Sequence, residues 1–325
     1  MYCKPHEKRE MRFRNPVKKV LLHLVAVAII APITYVNCNK VKNREAQLKK
    51  DVNMIASVIG TRCPQKHANL EKTVSYIHSR LDHLLPHSEE KYYLNGKPYR
   101  NLIFENTGKK RYLSAIIIGA HYDSTPTTPG ADDNASAVAV LLSIAESLPQ
   151  LTRTVRYVFF TLEEAPYAFS EDMGSMRYAR YLRDNNEQIE IMICLEMVGY
   201  YSNEPIQEYP IWSLYSLYPA EANFAAVVAN EKNRRIATQW YNALKKNSGF
   251  RMKLIVAPVS MRGIDFSDHS SFWKLGFPAL MITDTAFYRN SNYHQKTDTP
   301  DTLDYHKMSL LVHSLSRALY NIDSN

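Results

Sequence analysis

Four stretches of this chain are apolar without the alternation of a half-exposed strand: Ser114–Gly119, Thr154–Thr161, Ile189–Leu195 and Phe277–Thr283. Each is short and carries β-branched or aromatic residues, the composition of a central strand covered on both faces. Between the first two, Ala135–Leu148 has an apolar helical period and follows a loop punctuated by Pro126 and Pro129. Upstream, Leu70–Leu85 places Val74, Ile77, Leu81 and Leu84 on one helical face, and Lys91–Phe104 shows strand signals around the turn Asn95-Gly96. Downstream, the spacing predicts a helix over Asn223–Lys246 and a strand near Lys253–Val259. Buried strands alternating with helices predict an α/β fold, a single three-layer domain with a mostly parallel central sheet flanked by helices.

Titratable side chains begin where these strands stop. His121 and Asp123 follow the first strand, and Asp132-Asp133-Asn134 open the helix after it. Glu163-Glu164 close the second, Glu196 ends the third, and His294 and Asp298 lie beyond the fourth. Taken singly, His121 reads as a structural histidine, Asp132-Asp133-Asn134 as a turn and helix cap, and the glutamate pair as surface charge. Repetition changes that reading, because ligands of open α/β sheets bind outside the carboxyl ends of the strands. Two histidines and four or five carboxylates on one sheet edge supply the nitrogen and oxygen donors that zinc takes in catalytic sites. A pair of ions about 3.5–4 Å apart shares a bridging carboxylate and makes hydroxide available near neutral pH. One more carboxylate must stay free as a base, and the adjacent Glu163 and Glu164 can supply a base and a ligand. The offsets His121-x-Asp123 and His294-x-x-x-Asp298 suit carboxylates that hold the far nitrogen of each imidazole.

Composition narrows the class. At 325 residues, 45% hydrophobic and 22% charged, the chain can bury one large core or two modest ones. A net charge of +8 raises the question of nucleic acid, yet residues 1–19 hold seven Lys/Arg against two Glu, which leaves +3 for the rest. No basic stripe interleaves with aromatics, so no nucleic-acid partner is expected. The basic start runs into Val20–Val36, which is 17 residues without charge. That is short for a spanning helix of about 20 residues and long for a signal core of about 7–15. Residues 1–38 are therefore expected to be an export signal or membrane anchor, and residues 39–51 a charged linker or helix start. The body, 52–325, is expected in the periplasm or outside the cell, released or tethered through residues 20–36. Cys38 lacks before it the small residues that lipid processing prefers. Four cysteines, Cys3, Cys38, Cys63 and Cys194, are too scattered for a disulfide framework, and only a Cys63–Cys194 bridge stays open. The tyrosines of residues 201–262 read as loop packing rather than pocket lining.

The motifs His121-Tyr-Asp123-Ser124, Gly130-Ala-Asp132-Asp133-Asn134-Ala-Ser136, Glu163-Glu164, Gly174-Ser175, and Ser267-Asp268-His269 through His294 to Asp298 stand in a familiar order. Over roughly residues 52–320 the chain resembles the co-catalytic di-zinc exopeptidases. These include secreted bacterial leucyl aminopeptidases and, more distantly, glutamate carboxypeptidases and glutaminyl cyclases. The resemblance implies the zinc-exopeptidase architecture, of phosphorylase/hydrolase-like type, and two Zn2+ ions per chain bridged by Asp132. It implies His121 and Glu196 on one ion, Glu164 and His294 on the other, Glu163 as general base, and a cis peptide after Asp132. Two positions depart from the pattern: Glu196 stands where aspartate is usual, and Ala137 where glycine is usual.

The intact Asp-Asp-Asn run argues for hydrolysis over cyclisation. The expected activity is zinc-dependent cleavage at the end of peptides or small amino-acid derivatives, with an aminopeptidase favoured. Arg289, just before His294, suits bidentate capture of a substrate carboxylate and keeps a carboxypeptidase open. Glutaminyl cyclase is the other alternative on the same fold. A non-catalytic binding ectodomain is disfavoured, because both histidines and Glu163 are retained.

Overall fold

The computed structural model describes residues 41–323. The expected signal or anchor therefore lies outside the described residues, among which no helix is long and apolar enough to cross a membrane. Residues 44–323 lie in one body. Eight strands make a single sheet: β1 His87–Leu94, β2 Lys97–Asn106, β3 Ala115–His121, β4 Val155–Phe160, β5 Ile189–Glu196, β6 Phe224–Ala229, β7 Arg251–Val256 and β8 Ala279–Thr283. Their order is β1-β2-β4-β3-β5-β8-β6-β7. The four apolar stretches of the sequence are its centre, β4-β3-β5-β8, and run parallel to one another. Their carboxyl ends consequently share one edge, which gathers the titratable residues that follow them.

Layering follows from side-chain alternation. Ile116 and Ile118 of β3 enter the larger core, with Leu70, Val74, Ile77 and Leu81 of α2 (His67–Leu81) and the buried residues of α3 (Ala137–Ser147). Helices α5 (Arg234–Asn247) and α7 (Tyr305–Asp323) pack into that same core. Ile117 enters the smaller core on the other face, with Tyr178, Ala179 and Leu182 of α4 (Gly174–Asp184) and Phe272 of α6 (His269–Lys274). Both faces of the strand are covered, as its unalternating apolar run requires. The Asn95-Gly96 turn joins β1 to β2 with both residues left-handed, at φ 51° and 73°, the geometry a two-residue hairpin demands.

Two expectations need correction, and the open question of a Cys63–Cys194 bridge closes. The helix predicted over Asn223–Lys246 is instead strand β6 followed by α5, because a six-residue apolar run carries no period that separates strand from buried helix. Asn230 marks the break, its side chain accepting the Asn233 N–H. Residues 44–52 are a docked helix, α1, rather than a linker: Leu48 and Val52 are buried in the core, and buried Asp51 accepts hydrogen bonds from Gln47 (2.8 Å) and Tyr76 (2.5 Å) and pairs with Arg80. Cys63 and Cys194 are both buried and free, so no bridge joins them.

Ile118 sits between Tyr157 of β4 and Ile193 of β5, all three wholly buried. Ile118→Ala should therefore cost about 2–5 kcal/mol through lost burial and the cavity left behind. Denaturant midpoints of the two proteins check this, and a shift equivalent to less than about 1 kcal/mol would show that the sheet centre relaxes freely.

Candidate metal centre

The backbone turns sharply where each strand delivers its polar residue. His121 is the last residue of β3, and Glu196 the last of β5. Leu162, just before Glu163-Glu164, has φ 57°; Met197, just after Glu196, has φ 43°; His294 itself has φ 58°. A non-glycine residue held there costs on the order of 1–3 kcal/mol, and such residues gather at functional sites. Gly130 (φ 65°) opens the Asp132-Asp133-Asn134 turn, and a Cβ there would lie 2.4 Å from the Asp133 carbonyl oxygen.

Two three-residue groups of donor atoms converge, His121/Asp133/Glu196 and Asp133/Glu164/His294. His121 Nε2 stands 3.4 Å from Asp133 Oδ1 and 3.3 Å from Glu196 Oε2. His294 Nε2 stands 3.0 Å from Asp133 Oδ2 and 3.6 Å from Glu164 Oε2. Asp133 thus offers one oxygen to each group. Burial alone would raise its carboxyl, but the contacts of His121 and His294 win and hold it below the ordinary carboxylate range. Glu163 belongs to neither group and lies 3.8 Å from His121 Nε2. Burial pushes the Glu163 carboxyl well up, with His121 pulling the other way, and burial with neighbouring Asp133 and Glu163 pushes Glu164 up too.

Asp132 is not the shared carboxylate. Its Oδ1 accepts the Gly199 N–H (2.9 Å) and its Oδ2 an Asn290 N–H (2.8 Å), so both oxygens are turned away and used. The backbone leaves helical angles at Asp133 and Asn134, and here Asp133 takes the inward place while Asp132 and Asn134 brace the turn. The cis peptide accordingly lies after Asp133, not after Asp132. Asp298 also has a different task from the one its spacing implied. Its oxygens accept the backbone N–H groups of Asp132 (2.8 Å) and Asp133 (3.2 Å) rather than holding His294.

Asp123 is near the far nitrogen of His121 at 3.5 Å, without the geometry of a hydrogen bond, and its oxygens accept the N–H groups of Glu163 (3.1 Å) and Glu164 (3.0 Å). Arg289 is not free for substrate. It is buried, and its guanidinium donates to Gln207, Thr285 and the carbonyls of Ala222 and Phe224.

Two further residues brace the centre, of which Arg62 carries no motif signal and Ser267 stands in one of the sequence motifs without an expected role. Buried Arg62 donates to the carbonyls of Pro129 (2.7 Å) and Gly130 (2.9 Å) and so fixes the turn that presents Asp133. Ser267 donates to Glu196 Oε2 at 2.6 Å. Another buried histidine, His269, is the contrast case: one ring nitrogen meets the Ile264 carbonyl at 2.7 Å, and burial takes it down to about 4, which keeps it neutral. A cleft runs from Glu196 past Tyr209, Tyr218, Ile264, Met281 and Tyr293. Tyr209 and Tyr218 therefore line a pocket, contrary to the expectation of loop packing.

The donor set fits zinc. Nε2 of wholly buried His121, the nitrogen that faces Asp133 and Glu196, lacks a hydrogen-bond partner, as does Glu164 Oε1, and unpaired buried polar atoms are costly unless an ion satisfies them. Imidazole and carboxylate are donors that zinc accepts in catalytic sites. Fold and site together define a metal-dependent hydrolase of the α/β class.

Residues 101–317 match the model of peptidase family M28, and the chain belongs to that family. It is 37% identical over 287 residues to the uncharacterized protein YfbL of Escherichia coli (strain K12), covering 85% of this chain and 87% of that one. It is 26% identical over 212 residues to a probable leucine aminopeptidase of Arthroderma otae, covering 60% of this chain and 50% of that one. The match thus spans about half the length of that relative. Its fold is similar to that of BSAP, a zinc aminopeptidase from Bacillus subtilis, with a TM-score of 0.67, 14% identity, and coverage of 86% of this chain and 95% of that one. The chain is accordingly a zinc-dependent metallo-exopeptidase.

The geometry separates Asp133 from Asp132 by experiment. Asp133→Ala should remove zinc from the centre, whereas Asp132→Asn, which keeps one acceptor oxygen, should weaken zinc by about 10–100-fold, as loss of an outer hydrogen bond typically does. Titration of the metal-free proteins with zinc decides, and the reverse ranking would return the shared position to Asp132.

Proposed function

We propose that the chain is an aminopeptidase acting on the free amino end of peptides and small amino-acid derivatives, with Asp133 between two zinc ions and Glu163 as general base. The observation that supports this is the pair of donor groups sharing Asp133, with Glu163 beside His121 and a member of neither group. On this reading His121 and Glu196 would hold one ion, and Glu164 and His294 the other, and zinc bound there would polarise a carbonyl and acidify water. Glu163 takes a proton from the attacking water and returns it to the departing amine. Asp123 fixes the base relative to its neighbour by accepting both of their backbone N–H groups.

The apolar and aromatic lining of the cleft supports an apolar side chain on the terminal residue. The surplus of buried carboxylates around the centre supports a substrate that brings an ammonium end. A carboxypeptidase reading loses Arg289 and would rest instead on Arg262, exposed over the Phe287 ring in the same cleft.

Glu163→Gln should lower turnover of leucine anilide by about 10²–10⁴ with zinc retained. Loss of zinc instead would exchange Glu163 and Glu164. Blocking the substrate's amino group should abolish cleavage, and cleavage of amino-blocked peptides from the carboxyl end would overturn the aminopeptidase assignment.

We also infer that the catalytic body works outside the cytoplasm. The supporting feature is the basic start before the 17-residue apolar run at Val20–Val36. Fractionation of cells expressing the full chain checks it, and full-length soluble protein in the cytoplasm would refute it.

A further inference from the structure

Far along the chain from the catalytic motifs, the end of α2 meets the start of β1. There, one nitrogen from each of His78 and His87 and one carboxylate oxygen of Asp82 lie within 4.8 Å of one another. His78 is in the last turn of α2, Asp82 caps that helix, and His87 is the first residue of β1, so residues 83–86 separate the two elements. Asp82 Oδ1 is shared, at 2.7 Å from His78 Nδ1 and 3.3 Å from His87 Nδ1. We propose that His78, Asp82 and His87 form a second, peripheral binding site for a divalent transition-metal ion such as zinc.

A helical His–Asp pair four residues apart is ordinary by itself. Three further observations go beyond it. First, the far nitrogen of His78 contacts Glu89 Oε1 at 2.9 Å, the arrangement by which a carboxylate fixes the tautomer and orientation of a metal-binding imidazole. Glu89 is anchored in turn by Lys91 (2.9 Å) and Arg100 (3.6 Å), so the orienting group is itself held. Second, both imidazoles rest on buried Phe104, with ring centroids 5.6 Å and 5.4 Å from it and 4.8 Å from each other. The rings are thereby set against a wall and turned toward one oxygen.

Third, donors on one tetrahedral zinc ion stand about 3.4 Å apart, given bonds of about 2.0–2.1 Å. The 3.3 Å spacing of Asp82 and His87 already matches this, and the 2.7 Å hydrogen bond of His78 opens slightly when a metal replaces its proton. Asp82 and His87 are exposed, which leaves water to complete the coordination, and none of the three residues lines the cleft beside Glu196. Two imidazoles and one carboxylate select zinc, nickel or copper over calcium or magnesium. A bound ion would staple the helix to an edge strand of the sheet.

Equilibrium dialysis of the full chain against zinc, with metal counted per chain, tests the site. Wild type should bind one more zinc than either His87→Ala or Asp82→Asn, while turnover of an amino-acid anilide stays the same in all three. Glu89→Gln should weaken that extra ion by about 10–100-fold. Because the readout is a difference between proteins, it does not depend on how many ions the catalytic centre takes. Equal zinc counts in wild type and the two variants would overturn the proposal, as would loss of turnover together with the extra ion. The altered side chains are exposed, so matching melting curves in metal-free buffer verify that the fold is intact.

Discussion

Burying a carboxylate is unfavourable unless something positive or a set of donors meets it, and this fold buries many at one sheet edge. Asp123, Asp132, Asp133, Glu164, Glu196, Asp268, Asp284 and Asp298 are each less than a tenth exposed. The buried cations beside them are few. Arg62 gives its hydrogen bonds to main-chain carbonyls, so it supplies field rather than pairing; burial takes it down to about 10 while Asp123, Asp298, Asp133 and Glu164 pull the other way. Backbone N–H groups meet Asp123, Asp132, Asp284 and Asp298, which accounts for four of the five outer carboxylates and leaves Asp268 without a hydrogen-bond partner. Asp133, Glu164 and Glu196 face inward toward the two histidines, and divalent cations are what such a set lacks. The metal is in this sense a term in the folding balance as well as a reagent.

That balance explains how the turn before α3 is built. Asp132 reaches to Gly199 and Asn290, Asn134 to the Leu195 carbonyl (3.0 Å) and the Met197 N–H (3.0 Å), and Ser136 Oγ to the Val198 N–H (3.1 Å). The turn is therefore laced to the segment on both sides of Glu196. Candidate donors that follow two different strands are set in one rigid frame, with Asp298 and Arg62 closing it from behind. A centre built this way is preorganised, since its donors are placed by hydrogen bonds that need no metal to form.

Much of this was legible in the sequence, and the limits are physical. The four central strands show as apolar runs because both of their faces are covered, and the polar residues at their ends mark the functional edge. The hairpin at Asn95-Gly96 is legible because few residue pairs tolerate two left-handed positions. What pattern cannot supply is direction. In Asp132-Asp133-Asn134 the spacing names three polar residues, but which one points inward depends on backbone angles, and the choice fell one residue later than expected. Asp298 and Arg289 fail for a related reason: proximity in sequence to His294 says nothing about which backbone atoms lie opposite after folding. Arg62 gives no signal, because a lone arginine ahead of a helix reads as solvated until the carbonyls around it are seen. The run Phe224–Ala229 was missed because an apolar hexamer has no period of its own.

Glu196 shows how a departure from pattern is absorbed. Its side chain is one methylene longer than aspartate, which moves the carboxylate by about 1.5 Å, more than a zinc–oxygen bond tolerates. Yet its oxygen stands 3.3 Å from His121 Nε2, in the place a shorter ligand would have to reach. The neighbouring backbone and one hydroxyl make the difference. Met197 turns left-handed directly after it, and Ser267 donates to Glu196 Oε2 at 2.6 Å. Ser267 is steadied by Cys194 at 3.2 Å, and Cys194 lies two residues before Glu196, on the same face of β5. The buried thiol and the serine together form the wall against which the longer side chain rests. Shortening that ligand to aspartate without changing Ser267 would withdraw the carboxylate from both the hydroxyl and His121, so the residue usual in the family is not interchangeable with the one found here.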